Sequence, residues 1–218
     1  MANYTLILGS KNYSSWSLRA WLCARHSGAR FDEQVIALDT PETAQAIRAH
    51  SPSGRVPVLK DGDVTIWDSL AIAEYLAERH PEAKLWPADM HARAVARSVA
   101  AEMHSGFAAL RSNMPMNVRR TAPRAGLLRE VQADIARILD VWRDCRARFG
   151  AGGPFLFGGF TIADAMYAPV VSRLKSYVVP VEDAVCKAYL HAIWELPSMK
   201  EWRAAAASEP RVAKYDHI

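Results

Sequence analysis

Over the first eighty or so positions the apolar residues come in short blocks separated by turn-forming residues. Tyr4-Thr5-Leu6-Ile7-Leu8 is closed by Gly9-Ser10, which predicts a buried strand. Trp16 to His26 carries Trp16, Leu18, Ala20, Trp21, Leu22 and Ala24, a helical density that stops at Gly28. Phe31 to Leu38, centred on Val35 and Ile36, predicts a second strand. Thr40-Pro41-Glu42 has the form of a helix start, with an N-cap, a proline at the first helical position and an acid in the first turn. That helix should end before Pro52-Ser53-Gly54. Two apolar runs, Val56–Leu59 and Val64–Trp67, flank Asp61-Gly62 and predict a hairpin. Asp68-Ser69 then opens a helix through Leu70, Ile72, Ala73, Tyr75 and Leu76. The order is β-α-β-α-β-β-α.

Two prolines within His80–Asp89 predict a linker, dividing the chain into units 1–80, 81–89 and 90–218. Beyond it the strand signals stop. Met90–Met114 and Pro123–Phe149 are alanine- and arginine-rich with apolar residues at helical spacing, and Gly150–Gly159 interrupts them. Three shorter helices are expected near 161–177, 182–195 and 197–207. The fold class is therefore a small α/β unit joined to an all-α one.

Composition narrows the function without choosing it. Half of the 218 residues are hydrophobic and 23% are charged, as in globular proteins. No apolar run reaches the roughly 18–20 residues that span a bilayer, so no membrane partner is expected. The first nine residues lack a basic stretch, and Cys23, Cys145 and Cys186 are far apart, so a cytoplasmic location is expected. Net charge is +4, but the 27 basic and 23 acidic residues are interleaved, which argues against a nucleic-acid partner. The seven histidines show no metal-ligand spacing, so no metal site is expected.

Three local features carry candidate chemistry. Pro57 precedes an apolar run and belongs at a strand start or edge. A cis bond there would offer the Val56 backbone to an extended peptide, although the dipeptide alone favours trans. Asp68-Ser69 places a carboxylate and a hydroxyl at a helix N-terminus, which suits the charged end of an amino acid or simple capping. Tyr13-Ser14-Ser15-Trp16-Ser17-Leu18-Arg19 sets serines before an apolar helix, where they cap it or ionise a bound thiol. By contrast, Thr161-Ile162-Ala163-Asp164 has capping-box spacing, a folding signal rather than a catalytic one. The three cysteines sit among apolar residues and are expected to be inert.

Taken together, these features resemble the soluble glutathione transferases over essentially the whole chain. The resemblance rests on Ser51-Pro52-Ser53-Gly54-Arg55-Val56-Pro57-Val58-Leu59, on Asp68 to Leu76, and on Phe160-Thr161-Ile162-Ala163-Asp164-Ala165. It implies a thioredoxin-like N-terminal unit, an all-helical C-terminal unit, glutathione as co-substrate and a homodimer. Ser14-Ser15-x-Ser17-x-Arg19 is similar to the serine motif of the zeta class, which includes maleylacetoacetate isomerases. Trp16 stands where that class usually has cysteine, and Arg55 where it usually has glutamine.

The resemblance carries the catalytic hydroxyl onto Ser14 or Ser15. It makes Pro57 cis, pairs Val56 with the cysteinyl backbone, and gives Asp68 and Ser69 the γ-glutamyl end and Arg55 the glycyl carboxylate. The segment Arg111–Arg120 would face the thiol, with Met114 and Met116 as an apolar wall, Tyr13 and Trp16 opposite, and Arg111 or Arg119 holding an acidic electrophile. The expected activity is conjugation or isomerisation. A non-catalytic carrier of the same fold and a glutathione-dependent peroxidase or reductase are the alternatives.

Overall fold

The computed structural model describes residues 3–124 and 126–216. Strand β1 (Asn3–Gly9) is central in a four-stranded sheet of order β2-β1-β3-β4. It pairs in parallel with β2 (Arg30–Ile36) and antiparallel with β3 (Val58–Asp61), which continues through a hairpin into β4 (Val64–Trp67). Gly62 supplies the positive φ, 56°, that the hairpin turn needs. The strand alternates its burial between two cores. Leu6 and Leu8 join α1 (Ser15–His26) and α3 (Ser69–Arg79), while Ile7 meets Ile36, Ile47 and Val58 beneath α2 (Thr43–Arg48).

Helix α2 starts two residues later than the sequence suggests. Thr43 Oγ1 donates to the Ala37 carbonyl at 2.7 Å and accepts from Thr40 N–H at 2.9 Å, so Thr40-Pro41 becomes part of a closed turn rather than a cap. A single 3₁₀ turn, Pro81–Ala83, lies in the predicted linker.

The helical part comprises α4 (Met90–Ser105), α5 (Ala108–Asn113), α6 (Arg129–Phe149), α7 (Ile162–Ser176), α8 (Ala184–Trp194), α9 (Pro197–Ala207) and a short α10 (Ala213–Asp216). The expected helix over 90–114 is broken at Gly106-Phe107. Phe107 takes a left-handed φ of 57°, and a Cβ on Gly106 would stand 2.7 Å from the Glu102 carbonyl. Helix α7 is buried along nearly its whole length and packs on both α1 and α4. Its capping box is formed: Asp164 accepts from Thr161 N–H at 2.8 Å and from Thr161 Oγ1 at 2.9 Å, and also from Leu156 N–H at 3.1 Å. One apolar core thus runs from β1 through α1 and α7 into the helical part.

Candidate active site

A cleft of about 440 Å³ opens between the start of α1, the segment before β3 and the β4–α3 junction, within the size range of small-molecule sites. Ser53, Arg55, Val56 and Pro57 line one side, Trp67, Asp68 and Ser69 the floor, and Trp16 of α1 the other side. The Val56–Pro57 bond is cis.

The β4–α3 junction places Asp68 and Ser69 in the cleft lining. Asp68 holds a left-handed φ of 75°, unusual for a residue with a side chain. Its Oδ1 caps α3, accepting from Leu70 N–H at 2.8 Å and Ala71 N–H at 3.4 Å. Its Oδ2 faces His104 Nε2 of α4 at 3.3 Å. Next to it the Ser69 side chain is fully buried, and its hydroxyl has no partner among the described residues. A buried polar atom left unpaired is costly, and Ser69 is a residue of the cleft lining. The first turn of α3 contains no acid to offset its N-terminal partial charge.

Across the cleft, Trp16 lies between two cations. The Arg19 and Arg111 guanidinium carbons stand 4.5 and 4.4 Å from its ring, and His104 meets it edge-on at 5.1 Å. Arg19 is almost wholly buried, and its Nε and Nη1 have no partner among the described residues. Burial, with Arg111 and Arg173 nearby, draws its pKa down to about 9. Burial also lowers the pKa of Arg111, which donates from Nη1 to the His104 and Gly106 carbonyls at 3.0 and 3.1 Å. The His104 pKa is lowered by burial and the two arginines despite Asp68. This wall is rich in positive charge and short of carboxylates.

The serines stand at the start of α1, beside Trp16. Ser14 is the N-cap: its Oγ accepts from Ser17 N–H at 3.3 Å and donates to Ser17 Oγ at 2.7 Å, which in turn accepts from Gly9 N–H at 2.9 Å. Ser15 is half-buried, and no hydrogen bond to its hydroxyl is formed within the described residues.

Other residues read from the sequence lie elsewhere. Met114 and Met116 are not a cleft wall: both are buried in the core, drawn in by Arg173 Nε donating to the Met114 carbonyl at 2.7 Å and Tyr177 Oη to the Pro115 carbonyl at 2.9 Å. Arg119 is spent on the chain's end, donating to the carbonyls of Glu209 at 2.7 Å, Ala207 at 3.3 Å and Pro210 at 3.4 Å. Tyr13 is buried, its hydroxyl donating to Asp216 Oδ1 at 3.2 Å and accepting from Val212 N–H at 2.9 Å. The sequence reading missed Trp67, Ser53, His104 and the role of Arg19. Only Arg19 carried a signal, as the last residue of the serine motif.

The three thiols are buried, and burial pushes Cys145 and Cys186 up to about 12 and Cys23 higher still. Among the described residues no three His, Cys, Asp or Glu side chains cluster as metal ligands, and no helix is long and apolar enough to cross a membrane.

Fold and cleft together define a thioredoxin-like α/β unit, with an Asp-capped helix N-terminus and a cis-proline lining one cleft, set against a helical unit. Residues 13–79 match the family model for the glutathione S-transferase N-terminal domain, and residues 124–215 the model for the C-terminal domain. The chain belongs to the glutathione S-transferase family. It is 58% identical over 45 residues to glutathione S-transferase Z1 of Arabidopsis thaliana, covering 21% of this chain and 20% of that protein. It is 33% identical over 108 residues to a probable maleylacetoacetate isomerase of Caenorhabditis elegans, covering 49% and 50%. The matches thus span half or less of these two relatives. Among solved structures, the holo form of maleyl pyruvate isomerase, a bacterial zeta-class member, superposes with a TM-score of 0.72 at 24% identity, covering 96% of this chain and all of that one. A glutathione transferase homologue from Burkholderia, solved with bound glutathione, superposes at 0.69 and 24% identity over 96% of this chain and all of that one. These two likenesses show the fold.

Proposed function

We propose that the chain is a glutathione transferase that binds glutathione in the cleft and presents its sulfur, as a thiolate, to a small electrophile bearing a carboxylate. The observation that carries the binding step is the buried Ser69 hydroxyl at the start of α3, without a partner among the described residues. The γ-glutamyl carboxylate takes that hydroxyl and the Ser69 N–H, and the ammonium takes the Asp68 carboxylate, whose Oδ1 keeps the Leu70 and Ala71 N–H groups. The cysteinyl backbone lies along Val56, and exposed Arg55 meets the glycyl carboxylate. Residues 1–80 then supply the glutathione site and 90–218 the wall facing the electrophile.

The sulfur of a ligand so placed faces the start of α1. Lowering a thiol pKa from about 8.5 to about 6.5 requires about 2.7 kcal/mol. A hydrogen bond to the thiolate supplies on the order of 1.5–3 kcal/mol. The N-terminus of α1, with no acid in its first turn, adds about 0.3–1 kcal/mol. One serine hydroxyl is therefore sufficient. Ser15 can donate at once, whereas Ser14 must first turn its proton away from Ser17. The thiolate attacks an electron-poor carbon, a C–S bond forms, and either a leaving group departs with its electron pair or a π bond shifts. In an isomerisation the same C–S bond breaks again and glutathione is returned. The half-buried Arg111 guanidinium, set on the Trp16 ring that lines the cleft, supports an acidic electrophile, replacing the Met114, Met116 and Arg119 arrangement. Buried Arg19 adds positive charge behind that ring.

A second copy of the chain is the proposed partner. The apolar groove of about 680 Å³ beside Ile66, Trp67 and Leu70 shares Trp67 with the cleft, so covering it completes the cleft's rim. A monomer's mass in sedimentation would remove this proposal.

Calorimetry tests the binding step. Ser69→Ala and Asp68→Ala should each weaken glutathione binding about tenfold or more, as loss of a charge-assisted hydrogen bond does. Unchanged affinity in both variants would contradict the assignment.

A further inference from the structure

The loop that delivers the serines is held from the far end of the chain. Lys11 N–H donates to Glu209 Oε1 at 2.6 Å and Asn12 N–H to Glu209 Oε2 at 2.8 Å, across 198 and 197 positions. The Lys11 carbonyl accepts from Trp202 Nε1 at 2.8 Å, and the Asn12 carbonyl from Val118 N–H at 3.1 Å. All four backbone polar groups of Lys11-Asn12 are thus satisfied by the helical part, three of them by residues 202–209. The two residues are also buried.

The next residue is held in the same way. Tyr13 stacks on Tyr215 with ring centroids 5.1 Å apart, and its hydroxyl bonds to Asp216 and Val212. Asn117 Nδ2 ties the same Asp216 back at 2.7 Å, and Asn117 Oδ1 accepts from Asn12 Nδ2 at 3.0 Å. Ser14, the cap of α1, follows directly, and its own N–H is fixed to the Ser10 carbonyl at 2.8 Å. A five-residue loop has little freedom once two consecutive amides and one side chain are pinned.

We infer that residues 207–216 form a strap that sets the position of the serine hydroxyls, and that Glu209 is a positioning residue for thiol ionisation. Its two oxygens fill a pair of adjacent N–H groups that otherwise point at nothing in the α/β part, a nest occupied by the chain's own carboxylate. Glu209 touches neither the cleft nor Trp16, so its effect passes through the backbone of Lys11-Asn12 to the start of α1. The inference rests on the proposed use of a serine to ionise glutathione. It adds that the last turn of the chain is part of that machinery, although it lies outside the α/β unit that binds the cofactor.

The test compares full-length wild type with Glu209→Gln and Asp216→Ala. It uses glutathione as the binding probe, thiolate absorbance for the bound thiol's pKa, and a nitro-activated aryl chloride for turnover. Glu209→Gln keeps the size of the side chain but sets an NH₂ against one of the two amides. The bound thiol's pKa should rise by about half a unit or more and kcat should fall about tenfold, while glutathione affinity stays within about twofold. Asp216→Ala releases Tyr13 instead, shifts the same readouts in the same direction, and serves where Glu209→Gln does not fold. An unchanged thiol pKa in the folded variants overturns the inference, as does a loss shared equally by affinity and turnover. A wild type that binds no glutathione, or never ionises it, overturns the proposed function instead.

Discussion

At the residue scale, the site depends on which polar atoms are already used. Asp68 spends one oxygen on its own helix and shows the other to His104, while Ser69 keeps its hydroxyl unpaired in a buried position. Ser14 and Ser15 divide the same way, one bonded to Ser17 and one not. The Asp68-Ser69 start was legible in the sequence because a cap is a short-range pattern. Burial of Met114 and Met116 was not, because it depends on Arg173, 59 positions from Met114. His26 shows how such packing sets a pH dependence. It stacks on Phe160 with centroids 3.6 Å apart, faces Ser198 at 3.1 Å, and burial lowers its pKa from 6.5 to about 4. Between these values the unfolded chain takes up a proton that the folded chain refuses, so stability present above pH 6.5 is lost as pH falls towards 4. Asp164, raised by burial from 3.8 to about 6, works in the opposite sense over much of that window. Chemical denaturation of His26→Gln against wild type separates the two. The variant should lose less stability than wild type between pH 6.5 and 4, and parallel curves would contradict this.

At the element scale, the N-terminal order of strands and helices followed from blocks of apolar residues closed by Gly, Pro and Asp. Each boundary there is a local signal. The helical part was less legible where a break depends on a single residue. Alanine-rich sequence continues through Gly106-Phe107, and the only sign of the change is the glycine whose Cβ would strike the Glu102 carbonyl. The start of α7 is the opposite case, since its capping box could be read directly and also has a long-range duty. Asp164 satisfies Leu156 N–H, which fixes the loop before the helix. Asp164→Ala therefore strands two buried N–H groups, at about 1–3 kcal/mol each. The melting temperature should fall by roughly 5–15 °C, read by calorimetry. A change within about 1 °C would show that the capping box contributes little.

At the scale of the whole molecule, the cleft is lined by the α/β part and backed by distant residues of the helical part, and only the lining could be read. Trp16 of α1 is gripped by Arg19 beneath and Arg111 from the helical part, and His104 reaches Asp68 across the same gap. No short motif encodes that arrangement. It predicts that an acidic electrophile is preferred over its methyl ester and that Arg111→Ala narrows the preference about tenfold or more, an ion pair of this kind contributing about 1.5–3 kcal/mol. Matched kcat/KM values would show it, and an equal preference before and after the substitution would remove Arg111 from the site. The proposed chemistry turns on a serine at the start of α1 that holds bound glutathione as a thiolate. The direct measurement is a pH titration of thiolate absorbance for glutathione bound to wild type, Ser14→Ala and Ser15→Ala. The wild-type pKa should lie about two units below that of free glutathione and shift back upward in at least one of the two variants. Ser14→Ala should also lose about 1 kcal/mol of stability with its helix cap. Identical titrations in all three proteins, or a wild-type pKa equal to that of the free thiol, would contradict it.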